Sequence, residues 1–335
     1  ISSQEPCADD GADERRHHGA VREPQSQSDP GDVRPRPVAG QWRSDRDGRC
    51  GVDMQSVSRA QPVKIYVATH KDVEHGETEC LKFLHTECAN GINIAEKEDY
   101  CELRTQYFVW KNKDYHADYV GFFHYRRYLD LNRSAKKEPY HIEKEPDYTL
   151  YTEKNLAYIP KIFDVVTPIA EYMGISVLTR YKYSKGHDID DLKLLAEIIN
   201  DEFPKYARAL KQYFEGEYEY FGNMYIMRLD LFTDYCDWLF RVLEIFDERK
   251  PNHLPRTEGY LGERLFGVYY TWLKSQKGIR VLEVPRVFYS KYDDSSHHFG
   301  RDRFVNMLLP PGGNRRATLR RLKLRVTGIK DAWEK

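Results

Sequence analysis

The 335-residue chain contains no apolar run near the roughly 18–20 residues that a helix needs to cross a bilayer, and its polar N-terminus lacks a secretory signal pattern. Charge of one sign is not in excess: the net charge is -1 and the sequence pI is near 6.9. No global field therefore favours nucleic acid, and none is expected as a partner. Cysteine is sparse. Cys7, Cys50, Cys80, Cys88, Cys101 and Cys236 show no C-x-x-C and no paired metal-ligand spacing, so free thiols in a cytoplasmic protein are expected. Also missing are G-x-x-x-x-G-K-[ST], a G-x-G-x-x-G after a strand, G-x-S-x-G and H-E-x-x-H. P-loop, dinucleotide-fold, hydrolase-elbow and zincin chemistries lose their support with them. The first 63 residues hold no Leu, Lys, Phe or Tyr. Such a stretch cannot bury enough apolar area to offset its ordering entropy. Residues 1–61 are expected to be a disordered leader; with Met54 just before the composition changes, translation is expected to begin there, and the residues upstream not to be native.

What remains is rich in aromatics with polar tips: all 25 Tyr of the chain and 4 of its 5 Trp. These suit sugar and nucleotide faces as well as ordinary cores. The densest stretch is Asp118-Tyr119-Val120-Gly121-Phe122-Phe123-His124-Tyr125-Arg126-Arg127-Tyr128. Its first half reads as a buried strand. Its second half is costly to bury, because guanidinium groups need paired anions. A strand whose C-terminal end opens into a pocket for a charged ligand accounts for both halves, and open α/β sheets bind ligands there. A first strand, Lys64 to Lys71, ends in Thr69-His70-Lys71, either a second ligand edge or a plain exit into a loop.

Asp99 to Asn112 reads as a helix, with Asp99 and Glu102 at capping-box-like spacing and Tyr100, Leu103, Tyr107 and Trp110 on one face. Glu102 is then a cap or a ligand contact. Thr152 is expected to cap a short helix ended by Pro160, and Ile162 to Pro168 to form a buried strand. Residues 170–187 look loop-like, with His187 before an Asp-rich helix start. Helices are expected over 189–202 and 204–214, a strand over 222–228 with Asn223 near its start, and a strong amphipathic helix with Leu231, Tyr235, Trp238, Val242 and Ile245 on its face. Arg256 to Gly259 reads as a polar loop and Tyr260 as the start of another helix; late strands follow at 279–284 and 287–289. Strands alternating with helices give an α/β fold with a mixed, largely parallel sheet. In the tail, Leu319, Leu322, Val326, Ile329 and Trp333 recur at helical spacing among Arg315, Arg316, Arg320, Arg321, Lys323, Arg325 and Lys330. A basic amphipathic helix of this kind docks on a membrane surface or packs on its parent domain.

Several pieces fall in a specific order: Tyr66-Val67-Ala68-Thr69-His70-Lys71, Asn93-Ile94-Ala95-Glu96-Lys97, Tyr100-Cys101-Glu102-Leu103, Trp110-Lys111-Asn112, the His124-Tyr125-Arg126-Arg127 block, Asn223-Met224-Tyr225-Ile226-Met227, Tyr235-Cys236-Asp237-Trp238-Leu239-Phe240 and Gly262-Glu263-Arg264-Leu265. Over about residues 62–290 the chain resembles a bacterial family of capsular and exopolysaccharide glycosyltransferases, formerly catalogued as a domain of unknown function. That resemblance implies a GT-A-like, nucleotide-sugar-binding α/β fold over 62–300, with 301–335 as a basic tail. It also implies transfer of a hexosyl unit, galactofuranosyl or galactosyl, from a nucleotide-sugar (a UDP-sugar favoured) to a lipid-linked glycan, with inversion. The expected location is the cytoplasm, peripheral on the inner face of the plasma membrane.

Departure of a nucleoside diphosphate needs positive charge or a metal where negative charge develops. Where many GT-A enzymes carry Asp-x-Asp, this chain resembles His124-Tyr125-Arg126-Arg127 instead. Arg126 and Arg127 are thus expected to bind the diphosphate, His124 to serve phosphate or sugar, and Tyr125 to stack or hydrogen-bond. Thr69, His70, Lys71 and Glu102 are expected on the donor side, and His187, Asn223 and Arg264 on the acceptor side. Asp130, the nearest acid, keeps a divalent cation (Mg or Mn) open. Inversion needs a base, expected to be Glu263 at the start of a late helix, with Glu258 and Asp230 as fallbacks. The rivals are a non-catalytic glycan- or nucleotide-binding module and a nucleotidyltransferase.

Overall fold

The computed structural model describes residues 62–71, 76–87, 90–113, 116–132, 139–142, 144–289, 308–309 and 314–326. The leader expected over 1–61 lies outside them, as do Ile329, Lys330 and Trp333 of the tail.

The chain opens with strands β1 (Val63–Thr69) and β2 (Leu81–His85), helix α1 (Leu103–Asn112), and strands β3 (Tyr119–His124), β4 (Arg127–Leu129) and β5 (Tyr140–Ile142). Short helices α2 (Glu153–Leu156) and α3 (Ile159–Ile162) lead to β6 (Val165–Pro168), β7 (Glu171–Tyr172), α4 (Val177–Lys182), α5 (Ile189–Glu202) and α6 (Ala207–Glu215). Then come β8 (Tyr218–Glu219), β9 (Tyr225–Arg228), α7 (Leu229–Arg249), α8 (Thr257–Lys274), β10 (Val281–Val284), β11 (Arg286–Tyr289) and α9 (Asn314–Val326).

Among the described residues nine strands form one mixed sheet, running β10-β6-β9-β3-β4-β11-β5, with β1 paired to β3 and β2 to β1. Its longest ladders, β1 with β2 and β1 with β3, are parallel. Successive residues of a strand face opposite sides of a sheet, and here both sides are apolar. Tyr66, Val120, Phe122, Val165, Tyr225 and Met227 meet the helices α1 and α5 to α8. Their neighbours Ile65, Val67, Tyr119, Phe123, Val166 and Ile226 meet a second core that includes Leu156 and Ile159. A sheet buried on both faces must be covered by helices on both faces, which fixes the α/β class read from the sequence. The α7 face holds as expected: Leu231, Tyr235, Trp238, Val242 and Ile245 are all buried.

Local structure departs from expectation where a side chain finds a better partner. The helix expected from Asp99 is a 3-10 turn, Glu98–Tyr100, followed by α1 at Leu103. Cys101 between them takes φ 49, which an α-helix does not admit. Glu102 makes no cap bond. Thr152 precedes α2, yet its hydroxyl donates to the Thr149 carbonyl instead of capping. Pro160 sits in the first turn of α3, where its missing N–H costs nothing, so the strand expected from Ile162 begins at Val165. The loop-like stretch 170–187 contains β7 and α4, the latter capped by Ser176, which accepts from the Thr179 N–H. Gly222 and Asn223 form a left-handed turn before β9. α8 starts at Thr257, so Glu263 lies in its second turn and not at its start.

Candidate active site

β1 and β3 run parallel with Ala68 opposite His124, so their C-terminal ends finish together. There the chain reverses: His124 pairs with Arg127 of the antiparallel β4, and Tyr125 and Arg126 form the turn between them. The Arg126 N–H donates to His124 Nδ1 at 3.3 Å. The block that reads as a strand's charged end is a tight hairpin presenting two guanidinium groups. Tyr125 is buried beneath it, its ring edge-on to His70 and crossed by Arg126.

This hairpin borders a cavity of about 460 Å³. His124, Arg126, Arg127, Glu102, His187, Glu263 and Arg264 all line it, joining positions between 102 and 264 in sequence. Seven of the residues expected from sequence thus meet in one place. Others support it from behind. Asn223 is buried and donates from Nδ2 to Glu102 at 2.9 Å. His70 packs on His124. Thr69 and Lys71 are not in the wall; the Thr69 hydroxyl closes the strand end by donating to the Lys71 carbonyl.

Among the described residues the cavity carboxylates are Glu102, Glu171 and Glu263, of which the first and last are the candidates for a base. Glu263 accepts from the Gly222 N–H and from Arg264, each at 2.7 Å, which fixes its orientation. Burial, and then the charge of Glu263, push the Glu102 carboxyl above the usual range. Arg264 is itself buried, between Glu263 at 2.7 Å and Glu219 at 3.6 Å. Glu219 also holds Arg180, at 2.6 Å. His124 is held well below the usual histidine range by burial and by Arg127 and Arg126, so it is a neutral imidazole near pH 7. His187 stacks on Tyr260 with ring centres 4.0 Å apart.

Sequence reasoning missed five of the eight arginines in the wall: Arg180, Arg256, Arg286, Arg316 and Arg320. Arg286 pairs with buried Glu171, and Arg256 takes a left-handed φ of 69 just before α8. They reach the wall from four separate places: α4, the turn before α8, β11 and α9. The tail was expected to dock on a membrane surface or to pack on its parent domain with its basic face solvated. α9 is seated by buried Ala317 and by Arg320 and Arg321, which donate to the Met173 and Gly174 carbonyls.

Three expectations are corrected. Asp130 is buried outside the cavity, accepting from the Tyr140 hydroxyl and the Asn132 N–H. Asp230 is engaged by Arg228 through two bonds at the start of α7. Glu258 lies behind the wall against His253, at 2.7 Å, with burial the main cause of a carboxyl pushed up to about 7. Neither fallback base reaches the cavity. The cavity carboxylates Glu102, Glu171 and Glu263 each serve an amide or guanidinium donor. Among the described residues, a cluster with ligand atoms within 4.8 Å of one another is Asp99, His253 and Glu258, outside the cavity wall.

Residues 64–276 match the family described as "Domain of unknown function (DUF4422)". A solved structure, that of the WbbM bifunctional glycosyltransferase in its apo form, is similar with a TM-score of 0.63 and 28% identity. The similarity covers 69% of this chain and 46% of that one, so the chain spans less than half of that protein's length. A search of curated proteins gives no match.

Proposed function

The chain belongs to the DUF4422 family, and from that membership we propose that it is a glycosyltransferase acting on a nucleotide-sugar in the arginine-lined cavity. The observation that carries this reading is the juxtaposition of the His124-Tyr125-Arg126-Arg127 hairpin with two cavity carboxylates, Glu102 and Glu263. The similarity to a glycosyltransferase structure supports it.

Arg126 and Arg127 hold the donor diphosphate and take up the negative charge that develops as it leaves. The acceptor hydroxyl oxygen attacks the anomeric carbon, and the carbon–oxygen bond to the diphosphate breaks with its electron pair going to the phosphate oxygen. One such displacement inverts the anomeric centre. The hydroxyl proton passes to Glu263, whose carboxylate is oriented by the Gly222 N–H and Arg264. A second reading gives the proton to Glu102, favoured by its raised proton affinity. Neutral His124 donates to the diphosphate or the sugar. His70 backs the turn on the donor side; His187 and Arg264 line the acceptor side.

In the finer reading, the donor is a UDP-sugar carrying galactofuranose or galactose, and the acceptor is a lipid-linked capsular, exopolysaccharide or O-antigen glycan. The protein then works on the cytoplasmic face of the membrane. No helix among the described residues is long and apolar enough to cross a membrane, and the basic helix α9, with Leu319 and Leu322 exposed, suits a peripheral contact.

The test incubates the purified chain with nucleotide-sugars and reads donor hydrolysis and nucleotide protection against melting. Arg126→Ala is expected to abolish nucleotide protection. Glu263→Gln is expected to spare protection and stop transfer; if Glu102→Gln does so instead, the base is Glu102. Absence of protection by any nucleotide would refute the proposal, and nucleotidyl transfer in place of glycosyl transfer would replace it.

A further inference from the structure

Among the described residues, eight arginines and three glutamates line the cavity. The arginines fall into separate groups. Arg126 and Arg127 stand at the β3–β4 turn, and Arg286, joined to Glu171, stands beside Arg127. Arg180 of α4 and Arg316 and Arg320 of α9 make a wall of their own. Burial, followed by the charges of Arg180 and Arg316, presses the Arg320 guanidinium below the usual arginine range. Among the described residues, Glu219 pairs with Arg180 of this wall and with Arg264. Guanidinium groups gathered at a part-buried wall present N–H donors suited to the oxygens of a phosphate.

The wall is built, not incidental. Gly174, at φ 72, lies so close to α9 that a Cβ there would come within 2.7 Å of the Ala317 Cβ. Arg320 Nη1 donates to the Met173 carbonyl at 2.5 Å, and Arg321 binds Glu217 and the Tyr172 hydroxyl. These contacts fix the helix so that Arg316 and Arg320, one turn apart on one face, border the cavity. α9 also lies beyond residues 64–276, the segment that matches the family.

We propose that Arg180, Arg316 and Arg320 form a second anion subsite, which takes a phosphate group carried by the acceptor while Arg126 and Arg127 hold the donor diphosphate. This rests on the reading of the cavity as a donor site. Leu319 and Leu322, each 49% exposed, fall on the side of α9 away from Ala317 and next to the arginine face. An apolar stripe beside the subsite suits a phosphate at the head of a lipid; a soluble phosphate ester presents the same group.

The test is calorimetric titration of the full chain with inorganic pyrophosphate, with and without saturating UDP. The wild type is expected to bind pyrophosphate at two sites without UDP and at one with it. Arg316→Gln/Arg320→Gln is expected to weaken the UDP-independent site by tenfold or more and to leave UDP affinity unchanged. Arg126→Gln/Arg127→Gln is expected to do the reverse. Loss of all pyrophosphate binding when UDP is present, or equal loss of UDP affinity in the α9 variant, would overturn the subsite. Failure of the donor reading shows separately, as absence of UDP binding; a pyrophosphate site sensitive to the α9 substitutions then still upholds the subsite, and its absence overturns it. To separate the sources, glycerol 3-phosphate is compared with vesicles carrying phosphatidic acid. Binding lost on the α9 substitutions identifies the arm in which it is lost as the source, and no loss in either arm overturns the proposal.

Discussion

Replacing Arg264 with Met tests whether the site's charges hold its frame together. The guanidinium is 2% exposed and lies 2.7 Å from Glu263 and 3.6 Å from Glu219. At an effective dielectric of about 20, each contact is worth roughly 4–6 kcal/mol of gross attraction. Taking the guanidinium out of water costs several kcal/mol in return. Removing only the cation leaves both carboxylates in place. Glu219 keeps Arg180 on Oε2 but has no hydrogen-bond donor for Oε1; Glu263 keeps only the Gly222 N–H. Breaking a buried pair from one side costs about 3–5 kcal/mol, which lowers the melting midpoint by on the order of 10 °C for a domain of this size. Urea denaturation followed by Trp fluorescence reads the loss. Adding Glu219→Gln should cost less than the sum of the two single losses, because the residues share one network. Arg241→Met, which breaks an exposed pair with Glu244, should leave the midpoint unchanged and serves as the control. An Arg264→Met midpoint within roughly 2 °C of wild type would show that the arginine's charge does not hold the frame.

The site histidines should make the fold acid-sensitive. Burial, followed by arginine charge, lowers His70 and His124 below 6.5, and burial is the main cause lowering His187. The unfolded chain then takes up protons near 6.5 that the folded chain refuses, so stability is present above that value and is lost as pH falls below it. His124→Gln should remove the largest part of that slope, read from urea midpoints across pH 5 to 7; an unchanged slope would place the sensitivity elsewhere. At Gly267, on α8, an added Cβ would overlap the Tyr213 ring of α6. Gly267→Ala should therefore cost about 1–3 kcal/mol by urea denaturation, with partial recovery on adding Tyr213→Leu.

How much of this was legible in sequence follows from what each residue reports locally. Val120, Phe122, Tyr225 and Met227 announce buried strands by composition, and Leu231 to Ile245 announce α7 by period, because burial repeats along the chain. The hairpin arginines stood out because two adjacent guanidinium groups at a strand end need an anion. Glu102 misled: its spacing from Asp99 imitates a cap, but Cys101 interrupts the helix and Asn223, far off in sequence, claims the carboxylate. Asp130 misled by mere nearness, since two residues past β3 the chain has already turned away. Arg180 and Arg286 carry no local signal, and Arg316 and Arg320 signalled only a basic helix, because the cavity that gathers them is assembled from elements far apart in sequence.

The place of β11 in the sheet has a consequence for the order in which the protein comes into being. It inserts between β4 and β5, strands that leave the ribosome some 150 residues earlier. Until it arrives, β4 has the single bridge of His124 to Arg127 to hold it to the sheet, and Arg286 is not there to meet Glu171. At about 5–20 residues per second, the nascent chain waits on the order of ten seconds or more with that sheet edge open and the arginine wall unassembled. Long-range closure of this kind is slow. A chain still short of β11 therefore lacks both Arg286 and the strand that ties β4 to β5.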